Sequence, residues 1–276
     1  MFDKNSEIIH SEVRKRYAGL AKENVVPSQG ISCCSSDSNC CPPDSNQSTV
    51  FYDDLVIADL PDEVVGFSLG CGDPITLAEL QPGQVVLDLG SGGGLDCFLA
   101  ARNVAPDGHV IGVDMTPAMI EKAQGNQLKL GLENVEFRLG EIEKLPVDDD
   151  SIDVVISNCV INLSPNKPLT FQEIFRVLKR GGKLAVSDTV ASEPLADAVK
   201  MDLQSWAACI AGSLPVDEYK RMLKAAGFVN ITLDGMPPKG TKGENTDVSG
   251  DKLKKNPEMD DSFQQVFNAR ITAYKP

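Results

Sequence analysis

Between about Leu80 and Val190 the chain alternates short apolar runs with segments of helical period, and this alternation limits its fold more than any other feature. The apolar runs are VVLDL (85–89), HVIGVD (109–114), VEFRLG (135–140), IDVVISN (152–158) and KLAVSDT (183–189). Helical patterns fill the intervals at 95–104, 116–130 and 167–178. Strands separated by helices join through right-handed crossovers into a mainly parallel sheet with helices on both faces. The fold class is therefore α/β, and chemistry is expected at the carboxyl ends of the strands.

The flanks read differently. Residues 1–22 carry Ile8, Ile9, Val13, Tyr17 and Leu20 along one helical stripe. Residues 27–49 are rich in Ser, Asn, Pro and Cys and read as a flexible loop. Residues 191–226 read as helical with a break at Gly212–Pro215, and VNITLDG (229–235) and NARITAYK (268–275) as two closing strands. The polar, glycine-rich segment 236–258 between those strands reads as an exposed insertion. Three regions follow: an N-terminal helix and Cys-rich loop (1–50), a core (51–190), and a C-terminal region (191–276) that caps the crevice and completes the sheet.

Composition narrows the function. The net charge is −14 and no Lys/Arg-rich block occurs, so neither nucleic acid nor an anionic membrane is expected as a partner. No apolar run approaches the ~20 residues of a membrane span, and MFDKNSEIIHSEVRKRY lacks the apolar centre of a signal peptide. The expected location is cytoplasmic. Eight cysteines in that setting point to metal binding or catalysis rather than a secretory disulfide framework. Two histidines, His10 and His109, leave a Ser-His-Asp hydrolase or a His-rich zinc enzyme almost nothing to work with.

VVLDLGSGGGLDCF (85–98) runs from an apolar strand through Gly90, Gly92, Gly93 and Gly94 into a helix. Glycines there let the backbone approach a ligand and leave helix N-terminal N–H groups facing the crevice. The G-x-G-G-G spacing departs from the dinucleotide fingerprint. Asp114 ends the next strand in GVDMT, placed to accept hydrogen bonds from ribose hydroxyls. Glu141, in GEIEKLP (140–146), ends the third strand, where an acid can accept a proton from an adenine amino group while the Ile142 backbone pairs with the ring.

Four cysteines lie outside the N-terminal loop. Cys71 falls in SLGCGDP (68–74), Cys159 in SNCVINLSPNK (157–167) and Cys209 in WAACIAGS (206–213). Each alone reads equally as a small buried hydrophobe, as does Cys97 on the apolar face of the helix after the glycine loop. The remaining four, Cys33, Cys34, Cys40 and Cys41 in CCSSDSNCC, form adjacent pairs that suit zinc poorly, since zinc pairs are usually spaced by two or more residues.

The ordered set DLGSGGG, GVDMTPAMI and GEIEKLP resembles class I S-adenosylmethionine-dependent methyltransferases. That resemblance implies a Rossmann-like, seven-stranded sheet with an antiparallel final hairpin. It places the cofactor across Asp88, Gly90, Ser91, Gly92, Asp114, Met115, Glu141 and Ile142, with Asn158 facing the sulfonium. The three cysteine motifs, with YAGLA and ADLPDEVVGFSLGCGDP, resemble arsenite methyltransferases over most of the chain. In that family the matching cysteines, here Cys71, Cys159 and Cys209, bind trivalent arsenic from arsenite or methylarsenite. The resemblance also implies a disulfide between an N-terminal cysteine and Cys71 during turnover, reversed by thioredoxin or glutathione. Cys33, Cys34, Cys40 and Cys41 are the candidates for that redox step or for arsenic capture. Tyr17 and Tyr52 are expected over the cofactor, while Trp206 and Phe67 read equally as neighbours of the arsenic and as core packing. The rival readings are a methyltransferase for a small organic acceptor, such as a quinone or sterol precursor, with structural cysteines, and a metalloid-binding protein without turnover.

Overall fold

The five apolar runs become strands. Four carry branched or aliphatic residues on both faces, as strands covered on both sides require, while the third, VEFRL, alternates apolar with charged residues as an edge strand does. In the computed structural model, which describes residues 4–22, 51–52, 57, 60–65, 70–203, 206, 209–235 and 266–276, they are β1 (Val85–Leu89), β2 (His109–Asp114), β3 (Val135–Leu139), β4 (Ile152–Asn158) and β5 (Leu178–Ala191). The C-terminal part adds β6 (Leu214–Pro215), β7 (Val229–Gly235) and β8 (Val266–Tyr274). Their order is β3-β2-β1-β4-β5-β8-β7, with β6 paired to the end of β5. The first five are parallel, and β8 runs antiparallel to both β5 and β7. The expected seven-stranded mixed sheet is thus present, with a two-residue eighth strand added at Val190 and Ala191.

The helices are α1 (Lys4–Lys22), α2 (Asp62–Val65), α3 (Pro74–Ala78), α4 (Leu95–Val104), α5 (Pro117–Leu130), α6 (Lys167–Val177), α7 (Asp197–Lys200) and α8 (Val216–Ala226). Their ends follow from local chemistry. Asp73 caps α3 by accepting the Thr76 N–H at 2.9 Å, and Asn166 caps α6 by accepting that of Leu169 at 3.2 Å. Proline opens α3, α5 and α6 at the first or second position, where its missing N–H costs nothing.

Two expectations change. β5 begins five residues earlier than the KLAVSDT run, with Gly181 and Gly182 carried inside the strand next to an irregular register between Ile152 and Val154. The stretch expected to be helical over 191–226 is realised, among the described residues, as the short α7 and the longer α8, with turns at 209–212 between them. The N-terminal loop 27–49, its four cysteines, Phe67 and the segment 236–258 lie outside the described residues.

Alternation along the strands divides the core between the two sheet faces. Val86, Val110, Val154 and Ile156 pack with Phe98 and Val104 of α4, whereas Leu87, Leu89, Val155 and Val186 pack with Phe171 of α6 and Tyr219 of α8. Full burial of a ring such as Phe171 contributes about 1.5–3 kcal/mol by area alone. Among the described residues no helix is long and apolar enough to cross a membrane. The carboxyl ends of β1, β2, β3 and β4 all open on one edge of the sheet, and there the candidate site lies.

Candidate functional site

A crevice of about 980 Å³, counted out to its mouth, opens at that edge. Gly90, Ser91 and Gly92 form its floor. The Gly90 and Ser91 N–H groups both reach back to the Val113 carbonyl, at 2.7 and 3.0 Å, which folds the turn onto β2. Gly90 has φ +68°, and a Cβ there would fall 2.4 Å from a Val160 methyl carbon, so glycine is required on two counts. The Ser91 hydroxyl is buried and has no hydrogen-bond partner.

Asp114 is fixed at the end of β2 by its own neighbours. One carboxylate oxygen accepts the Gly92 N–H at 3.1 Å and the other the Thr116 N–H at 2.8 Å. Burial raises its pKa while those N–H groups pull the other way. Met115 and Ile142 also line the crevice. Asp88 does not: it is 2% exposed, accepts the Cys97 thiol at 3.2 Å, and is pushed well above the ordinary carboxyl range by burial and by Asp96. Cys97 is fully buried, as expected, and this hydrogen bond is its anchor.

The far wall comes from α1, through His10, Val13 and Tyr17. Arg14 donates to the Met115 carbonyl at 3.2 Å and to Glu141 at 3.1 Å. Glu141 therefore faces α1, and it is Glu143, two residues on, that lines the cavity with Ile142. His10 Nε2 lies 3.2 Å from Glu143, whose carboxylate also accepts the Ser164 hydroxyl. Tyr17 lines the crevice, while Tyr52 is buried behind Asp96 and donates its hydroxyl to it.

The cysteine segments converge beside this crevice. Cys71, Cys159 and Cys209 share one buried cluster with Val13 and Leu163, and Met115 packs against it. Cys71 and Cys159 are joined by a disulfide, with Cα atoms 5.8 Å apart. Cys71 is thus bonded to another of the three, where the resemblance implies an N-terminal partner. Cys209 carries its thiol 3.4 Å from the Cys159 carbonyl oxygen. Cys159 and Cys209 adopt φ +59° and +61°, left-handed backbone that non-glycine residues enter at a cost of about 1–3 kcal/mol.

Asn158 holds these parts in register. Its side-chain oxygen accepts the N–H groups of Cys71 and Gly72 at 2.8 and 3.2 Å, and its amide donates to the Gly72 carbonyl at 2.9 Å, to Asp96 at 3.2 Å and to the Tyr52 hydroxyl at 3.3 Å. A Cβ on Gly70 would collide with this amide at 2.2 Å. Asn158 also lines the crevice, beside Cys159.

A family model described as a methyltransferase domain matches residues 80–227. A Halobacterium salinarum protein named arsenite methyltransferase is 46% identical, taking in 99% of this chain and 68% of its own length. The chain belongs to the arsenite methyltransferase family. A relative of the same name from Aquipseudomonas alcaligenes is 37% identical over 82% of this chain and 63% of its own length. The chain spans about two thirds of the length of these two relatives. The crystal structure of CrArsM, an arsenic(III) S-adenosylmethionine methyltransferase from Chlamydomonas reinhardtii, superposes with TM-score 0.66 and 33% identity, covering 80% of this chain and 72% of that one.

In this arsenite methyltransferase family member one group under the cysteines had no signal in the sequence. Lys167 is 5% exposed, donates to the carbonyls of Asn162 and Ser164 at 3.0 and 2.9 Å, and lies 5.1 Å from the Trp206 ring. The Asn162 amide in turn donates to the Cys209 carbonyl at 3.0 Å. Burial lowers the Lys167 pKa against the pull of Asp188, and burial raises that of the fully buried Asp188. A lysine at a helix start reads as a surface charge, and only the tertiary fold turns it inward. Trp206 contacts the cysteine region through backbone, its carbonyl accepting the Cys209 N–H at 3.0 Å.

Proposed function

We propose that this chain transfers the sulfonium methyl of S-adenosylmethionine to trivalent arsenic held by Cys71, Cys159 and Cys209, acting on arsenite and methylarsenite in detoxification. The observation that carries the reading is the single buried cluster of three cysteines from distant segments, set against the glycine-loop crevice.

The crevice fits the cofactor on its own terms. Gly90 gives a close backbone approach, and Asp114 is held at the floor by the Gly92 and Thr116 N–H groups. Asp114 would hold polar groups of the nucleoside, and Ile142 and Met115 would line its apolar side. Bound there, S-adenosylmethionine supplies a methyl group on a sulfonium, an excellent leaving group.

Trivalent arsenic is soft and thiophilic, so thiolates are its natural ligands. Three cysteine thiols displace its three hydroxides as water and leave the arsenic lone pair to attack the methyl carbon. No general base is needed at arsenic, which accounts for a histidine-poor site. The contribution of the chain is placement at near-attack distance, and Asn158 fixes that placement by tying Cys71 and Gly72 to the end of β4. In the disulfide form Cys71 and Cys159 offer no thiolate, so a thiol reductant, thioredoxin or glutathione, is required before three-coordinate binding.

The test incubates purified protein with arsenite, S-adenosylmethionine and glutathione, following S-adenosylhomocysteine and methylated arsenic by chromatography with elemental detection. Wild type is expected to form methylarsenic, and Cys159→Ser and Cys209→Ser none, with cofactor affinity retained. Equal turnover by all three would remove the thiols from the mechanism.

A further inference from the structure

The Asp96 carboxylate lines the cavity wall, and none of the preceding chemistry uses it. It stands in the first turn of α4, partly buried with its open edge on the crevice. The Tyr52 hydroxyl and the Asn158 amide donate to its two oxygens. Among the described residues no lysine, arginine or histidine pairs with it, and two further acids, Asp88 and Asp73, act on it through space. An anion held so, without a cation, in a low-dielectric wall is stabilised further when a positive ligand arrives. A carboxylate of this wall with no cation beside it thus calls for a cationic ligand.

Its position says which end of that ligand it meets. Asn158 bonds Asp96 with one face and the Cys71–Gly72 backbone with the other, and Cys159 follows it in the chain. Asp96 therefore lies at the junction of the nucleotide crevice and the cysteine cluster, where a transferable methyl has to sit. We propose that the Asp96 carboxylate is the counter-charge for the sulfonium of S-adenosylmethionine and gives the site its preference for substrate over the uncharged thioether product. This rests on the reading that the crevice binds S-adenosylmethionine. It supplies a physical reason for product release: methyl transfer removes the positive charge, and the attraction to Asp96 goes with it.

The experiment measures dissociation constants of S-adenosylmethionine and S-adenosylhomocysteine by calorimetry, without arsenic, for wild type and Asp96→Asn. In the wild type the sulfonium form binds more tightly. In Asp96→Asn its affinity falls by at least about tenfold while that of the thioether changes far less, so the preference collapses. Equal weakening of both ligands, or no weakening, would overturn the proposal. Failure of the wild type to bind either ligand would overturn the cofactor reading itself, and this assignment with it. Should the variant not fold, the wild type provides the same answer through pH. Burial pushes Asp96 up to about 6, against the hydrogen bonds from Tyr52 and Asn158. The groups facing it, Tyr52, Asp73, Asp88 and Cys97, act on either ligand through the same wall. The preference for the sulfonium is then expected to shrink between pH 7 and pH 5, and an unchanged ratio of the two constants would overturn it.

Discussion

Gly90 combines a backbone that only glycine adopts cheaply with a side-chain position already filled by Val160. Gly90→Ala therefore meets two penalties, the left-handed φ and a 2.4 Å collision, and the turn can relieve them only by lifting off β2. The expected outcome is a loss of about 1–3 kcal/mol in stability, read as a lower thermal midpoint, together with loss of S-adenosylmethionine binding in equilibrium dialysis. Unchanged binding would show that the turn is not the cofactor floor. At this scale the sequence is informative where a residue type is itself the signal: the glycine run and the strand-end Asp114 announce themselves. Asn158 is legible as a strand-end polar group, but its bonds to Cys71 and Gly72 span 87 and 86 residues and have no local trace. Asp88 shows the converse. Its motif marks it as a cofactor ligand, whereas the fold buries it against Cys97 behind the wall.

Among the elements, α1 is the part whose attachment is most sensitive to conditions, because it closes the crevice with polar contacts as well as apolar ones. Burial alone would lower the His10 pKa; the hydrogen bond and charge of Glu143, with Glu141, outweigh it, and the value rises above 6.5. Glu143 is raised by burial but drawn below 4.5 overall by His10 and the Ser164 hydroxyl. The His10 contribution is fully present below pH 6.5 and is lost as pH climbs through its raised value. The Glu143 contribution is present above pH 4.5 and is lost as pH falls through its lowered value. The contact thus holds at full strength from about 4.5 to 6.5 and weakens above. Hydrogen exchange in α1, corrected for chemical exchange at each pH, is expected to lose protection worth about 1–2 kcal/mol between pH 6.5 and 8.5, and His10→Gln to flatten that dependence. The same slope in the variant would assign it to another group. The helical stripe of residues 1–22 is readable from periodicity, yet nothing in it says that its inner face meets Glu143. β1, β2, β4 and β7 are legible to the residue because runs rich in β-branched and aliphatic residues have few other uses, whereas β5 extends beyond its apolar run. The stretch from Val190 to Pro215 is less so: short helices and turns held by contacts to β5 and Asn162 carry little periodicity of their own.

Across the whole molecule the crevice has two halves with different sensitivities. The ends of β1, β2 and β3 with α1 make the cofactor half, and they contain no disulfide. The loop before α3, the end of β4 and the segment at Cys209 make the thiol half, in which Cys71 and Cys159 are already joined. The convergence of those three segments is legible only through family resemblance, since Cys71 and Cys159 stand 88 residues apart; the pairing between them is not legible at all. Because the halves meet through Asn158, Met115 and the apolar side of α1, and not through the disulfide itself, the redox state of the thiols is expected to control one and spare the other. The decisive sample carries serine at Cys33, Cys34, Cys40 and Cys41, so that arsenite captured by the adjacent pairs does not obscure the count. Oxidised, it is expected to bind S-adenosylmethionine and to retain no arsenic through gel filtration. Reduced with a phosphine that is then removed, it is expected to retain one arsenic per chain, with a cofactor dissociation constant within about twofold of the oxidised value, a difference worth well under 1 kcal/mol. Arsenic bound equally by the oxidised form would mean that Cys71 and Cys159 are not ligands. A cofactor affinity that collapses on reduction would mean that the disulfide, acting through Cys71 and Asn158, braces the nucleotide half as well.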